Sequence, residues 1–171
     1  MNGHNRTNRI VNYVGGVVVF IFFCSASLVA DDFMYWEHPN FNTIVIPNIS
    51  SKNQRPESSS SLTLYTSGDA EIMADNSAAA QLHSSSGDTL ITEYKLSFDG
   101  HGSGGFTGGT DTSYETYDNF LKSHATIRHV PADDDVVVTL SVRASNYPVD
   151  VADAGKYAAT QTLTVVWDGG L

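Results

Sequence analysis

From residue 62 onward, apolar and polar residues alternate with a period of two. Leu62 and Leu64 alternate with Thr63 and Tyr65, and Ala70, Ile72 and Ala74 alternate with Glu71, Met73 and Asp75. Between the two runs, Ser67-Gly68-Asp69 has the composition of a turn, so the pair is predicted to be a hairpin. The clearest strand follows Gly87-Asp88. There Leu90, Thr92, Tyr94, Leu96 and Phe98 share one face, and Ile91, Glu93, Lys95 and Ser97 share the other. Val136, Val138, Leu140, Val142 and Ala144 repeat the pattern. So do Tyr157, Ala159, Leu163, Val165 and Trp167, with Gln161 interrupting. Half-buried antiparallel sheets produce this alternation. Residues 126–130 read as a further strand, 78–82 as a weak strand or helical turn, and 114–121 fit a short helix as well as a strand. The predicted fold is all-β, a single antiparallel β-sandwich of immunoglobulin-like or pilin-like type.

The remaining segments break this pattern. Residues 99–113 contain six glycines and are predicted to be a long loop. Residues 50–61, SSKNQRPESSSS, read as a polar linker. Ahead of it, 43–49 carries Ile44, Val45, Ile46 and Ile49 around Pro47. Proline has no ladder donor, so this reads as an edge strand or a short one. The first thirty residues combine Arg6 and Arg9, an apolar block from Val14 to Phe23, and small residues ending at Ala30. That order describes a secretory signal peptide, and the block is shorter than a membrane-spanning helix requires. The predicted organisation is therefore a signal peptide at 1–30, an N-terminal strand and linker at 31–61, and a sandwich core at 62–171.

Charge narrows the partners. The formal net charge is −10, and without the leader's two arginines 7 basic and 19 acidic residues remain, about −12. Such a surface repels phosphate backbones and anionic lipid, which argues against nucleic acid and against membrane association after cleavage. The lone cysteine, Cys24, falls inside the leader, so the trimmed domain has no disulfide and no cysteine-based chemistry.

Asp153-Ala154-Gly155-Lys156-Tyr157 enters the final strand as D-A-G-x-Y. It resembles the tyrosine corner of immunoglobulin-like sandwiches, which implies a structural role for Asp153, Gly155 and Tyr157, with the phenol bonded back to nearby backbone. Two positions on, where those domains often carry cysteine, this chain has Ala159. The step into a terminal Thr/Val strand ending at Trp167 also resembles bacterial secreted sandwiches, including spore-coat-U-like and fimbrial subunits. That resemblance covers the leader and roughly the last fifteen residues of the strand region. It implies export and assembly by strand exchange.

Catalytic patterns do not occur. His4, His38, His83, His101, His124 and His129 show no HxxxH or HExxH spacing. There is no Gly-x-Ser-x-Gly elbow and no Gly-Lys-Ser/Thr loop. Calcium is the one cofactor with candidate ligands: Asp99 and Asp111 bracket the glycine loop, and Asp133, Asp134 and Asp135 form a dense turn. The expected function is that of a secreted or cell-surface structural or adhesive protein, a fimbria- or coat-like subunit that self-associates or joins other surface proteins. The alternative is an extracellular glycan- or calcium-binding module using 99–113, and the third is a secreted hydrolase. The expected location is periplasmic, extracellular or cell-surface.

Overall fold

The computed structural model is an all-β antiparallel sandwich. It describes residues 33–100, 108–128, 135–148 and 151–169, together with two short strands, β1 (Arg9–Ile10) and β2 (Ile21–Phe22), which pair with each other. The rest of the predicted signal peptide, 1–30, lies outside the described residues. The later strands are β3 (Met34–Trp36), β4 (Glu57–Thr66), β5 (Asp69–Ala74), β6 (His83–Ser84), β7 (Ile91–Phe98), β8 (Gly108–Gly109), β9 (Glu115–Thr116), β10 (Ala125–Arg128), β11 (Asp135–Ser145), β12 (Tyr157–Ala158) and β13 (Leu163–Gly169). One sheet has the order β3-β4-β11-β7-β9 and the other β13-β5-β10-β8, while β12 and β6 form a small ribbon.

The two-residue period explains the layering. Leu62, Leu64, Val138, Leu140, Tyr94 and Leu96 point inward from the five-stranded sheet. Ala70, Ile72, Ala125, Ile127, Leu163 and Val165 meet them from the four-stranded one, and all are buried in one core. Removing those side chains from water is the main force that holds the sheets together.

Three local predictions change. Ser67-Gly68-Asp69 does not close a hairpin, because β4 and β5 belong to different sheets. The C-terminal end of β4 is already paired on both sides, by β11 and by β3, so β5 has no edge of β4 to take. The link instead arches across the core. Thr66 is buried, and its hydroxyl donates to Gly68 O (2.9 Å), while Ser67 N–H donates to Phe33 O (3.0 Å). The serine-rich stretch is not a linker from Glu57 on: Glu57–Ser61 pair with Arg143–Thr139 of β11 as the first half of β4. Residues 43–49 are extended but belong to neither sheet.

The glycine-rich stretch is a loop only in part, and its residues 101–107 lie outside the described region. Gly108 and Gly109 form β8 on the edge of β10. Gly108 has φ +114°, and a Cβ there would fall on the carbonyl of Gly100; a Cβ on Gly109 would come within 2.9 Å of the Phe98 ring. Only glycine fits where the backbone crosses this closely. The chain then changes sheets: Thr112 exchanges bonds with Leu96 of β7, and Asp111 Oδ1 accepts Phe98 N–H (2.9 Å). The ambiguous 114–121 segment resolves as β9 and a turn. Phe120 of the turn is fully buried against Tyr94, with ring centroids 5.4 Å apart.

Candidate functional site

Two features of the surface stand out, an open strand edge and a groove. The edge belongs to β13. Its ladder neighbour is β5, and among the described residues no strand pairs with its other side, although β2 lies close to β13 without pairing with it. Asp75 donates its N–H to Thr162 O (2.8 Å), which makes 162/75 a hydrogen-bonded pair in the β13–β5 register. Alternation along an antiparallel ladder then directs the N–H and C=O groups of Leu163, Val165 and Trp167 away from β5. The edge reads Leu-Thr-Val-Val-Trp, with no charge and no proline over 163–167. Edge strands are ordinarily guarded by brevity, charge or proline. The other outer strands follow that rule, since β3 has 3 residues and β8 and β9 have 2 each. The unpaired half of β4 is polar, beginning Glu57-Ser58-Ser59.

The sheets are also unequal, five strands against four. β3 is the outer strand of the five-stranded sheet on the side away from β9. There Trp36 points inward and is covered by Phe41 from the following segment, with ring centroids 5.8 Å apart. Among the described residues the Trp36 indole N–H has no acceptor.

The groove lies at one end of the core and encloses ≈ 770 Å³. One wall is the segment 44–52. Ile44 is buried, Ile46 and Ile49 are half-buried, and Val45 is 67% exposed. The opposite wall is residues 151–157, where Val151 is 54% exposed. Leu82, Leu90 and Ala144 form the floor. Hydrogen bonds within the chain hold both walls. Gln54 Oε1 accepts the Ser50 and Ser51 N–H groups (2.6 and 3.1 Å), and Asn146 Oδ1 accepts Ala152 N–H (3.2 Å). Tyr157 Oη donates to Asp153 O at 2.6 Å, closing the Asp153–Tyr157 turn. Desolvation, followed by the charges of Asp88 and Asp153, pushes the Tyr157 phenol above its ordinary value. Gly155 is not sterically required, since a Cβ would only touch the Tyr157 ring at 3.9 Å.

No family model, curated protein or solved structure matches the chain.

Three of the five calcium candidates, Asp99, Asp111 and Asp135, fall among the described residues. Asp99 is exposed beyond β7, Asp111 spends one carboxylate oxygen on the Phe98 amide, and Asp135 opens β11 opposite Tyr65. Asp133 and Asp134 lie outside the described residues. Among the described residues no group of three His, Cys, Asp or Glu is placed to hold a metal. Elsewhere the polar contacts tie strands together. Arg143 makes a two-pronged bond to Glu93 (2.9 and 3.0 Å), which raises its already high pKa, and stacks 4.1 Å from the Tyr114 ring centre. Tyr114 Oη donates to Glu57 (3.0 Å), joining β4 to the segment before β9. Arg128 pairs with Asp69, and His124 pairs with Glu71 at 3.1 Å. Sequence reasoning did not find the groove. Its one signal was an apolar run, Ile44-Val45-Ile46, ended by Pro47 and too short for a sheet strand.

Proposed function

We propose that the protein is an exported structural or adhesive β-sandwich that assembles with copies of itself through the open edge of β13. The Leu163–Trp167 edge carries this reading: it has no ladder partner on its outer side, and removal of the leader takes away β2, the strand that lies near it. Three peptide units there face outward in the geometry that an added strand would satisfy, and β-strand addition draws its affinity from such main-chain bonds. Export rests on the leader pattern of 1–30, and assembly outside the cytoplasm suits an acidic domain without disulfides.

Sedimentation velocity on the full chain over a concentration series tests the assembly. Association that grows with concentration is expected. Val165→Pro removes an N–H that faces away from β5, so the ladder to β5 stays intact while the edge is blocked. Val166→Lys adds a charge on the outer side of the same edge. Both variants should stay monomeric and retain a β-type far-ultraviolet spectrum. A wild-type chain that is monomeric throughout, or variants that associate as it does, would refute the reading.

A further inference from the structure

The groove between 44–52 and 151–157 has a chemistry of its own, independent of the β13 edge. Its size is that of a small-molecule site, for which ~300–1,000 Å³ is usual. Its walls are preformed, since the Gln54, Asn146 and Tyr157 hydrogen bonds hold them without any ligand. The apolar part of its lining is mainly aliphatic, with Ile44, Ile46, Ile49, Leu82, Leu90 and Val151. Tyr157 is the one aromatic residue there, too few for the stacked platform that sugar rings use. Two of the three large exposed hydrophobic side chains among the described residues, Val45 and Val151, stand at its two walls.

Charge selects the head group. The chain carries only 9 lysines and arginines against 19 acids, yet Lys52 and Lys156 both line this groove, one on each wall. Asp153 is the one acid among the lining residues. Among the described lining residues, two lysines thus stand against one acid on a molecule that is acidic overall. Both lysines are exposed, each on a turn closed by its own hydrogen bonds: Ser50–Gln54 for Lys52, and Asp153–Tyr157 for Lys156.

We infer that the groove binds a free long-chain carboxylate, with the alkyl chain along Ile44, Ile46, Leu90 and Val151 and the carboxylate between Lys52 and Lys156. Burial of the chain supplies affinity in proportion to the apolar area removed from water. The two ammonium groups supply selection of the anion. On this reading the D-A-G-x-Y turn builds a binding wall as well as a corner.

Calorimetric titration of the full chain with dodecanoate, dodecanol and dodecyltrimethylammonium, each kept below its micelle threshold, tests the inference. Dodecanoate should bind saturably, at least about tenfold more tightly than the other two, a difference of ~1.4 kcal/mol. The double reversal Lys52→Glu/Lys156→Glu should invert that order in favour of the ammonium. Val45→Asp/Val151→Asp, which changes exposed side chains only, should abolish binding while leaving the circular dichroism spectrum unchanged. Absence of saturable binding overturns the proposal. Equal affinity for all three amphiphiles, or reversal variants that keep the wild-type order, overturns it as well, since the rim would then not read charge.

Discussion

At the scale of single residues, Tyr94 concentrates several constraints. Its ring is fully buried against Phe120, and its hydroxyl donates to Ala80 O at 2.7 Å, fixing the 3-10 turn of Ala78–Ala80 to the core. Burial pushes the phenol far above its ordinary value. Because the folded state holds this proton more tightly than the unfolded chain, the stability at stake is fully present below pH ~10, the unfolded pKa, and is lost progressively as pH rises above it. Tyr94→Phe should therefore do two things. At pH 7 it should lower stability by about 1–3 kcal/mol, because Ala80 O loses its buried donor. Above pH 10 the variant should lose stability less steeply than the wild type, so that the gap narrows. Urea unfolding at pH 7 and pH 11 reads both effects, and a gap that widens at high pH would contradict the assignment.

At the scale of elements, β4 shows how context overrides composition. Residues 57–61 carry four serines and a glutamate, with nothing apolar to alternate. They form a strand because β11, 11 residues long, has no other partner on that side and its inward Leu140 and Val142 lie opposite Ser60 and Ser58. Ala144 N–H donates to Pro56 O (3.1 Å), so even-numbered positions of β4 bond to β11 and odd-numbered ones face away. Ser60→Pro should cost about 1–3 kcal/mol through the lost ladder bond, and Ser59→Pro far less, as compared by urea midpoints. Two equally mild substitutions would restore the linker reading. The same contrast marks what was legible beforehand. β7 and β11 were readable because five inward side chains at period two leave no other interpretation. The sheet that each strand joins was not. Ser67-Gly68 looks alike as a hairpin or as an arch, and the choice is made by β3 occupying the free side of β4, a contact 30 residues distant in the chain. The groove was equally hidden, since its two walls are separated by about a hundred residues and neither contains a repeating pattern.

At the scale of the whole molecule, the proposed assembly sets a short-range attraction against a long-range repulsion. Outward peptide groups at Leu163, Val165 and Trp167 attract a second strand only on contact. Each copy meanwhile brings a formal charge of −10, and two such bodies repel at distances set by ionic strength. Some of that charge lies near the edge itself: Asp168 follows Trp167, and its charge is only partly offset by Arg128, 3.9 Å away and already paired with Asp69. The Debye length falls from ~30 Å at 0.01 M salt to ~8 Å at 0.15 M. Main-chain hydrogen bonds and buried apolar contacts are little affected over that range, so screening removes mostly the repulsive part. Association through β13 should therefore strengthen as sodium chloride rises from 0.01 to 0.15 M, seen as an increase in weight-average sedimentation coefficient at fixed protein concentration. Val166→Lys should abolish that increase. Association that weakens with salt would mean that opposite charges, not a strand edge, draw the copies together.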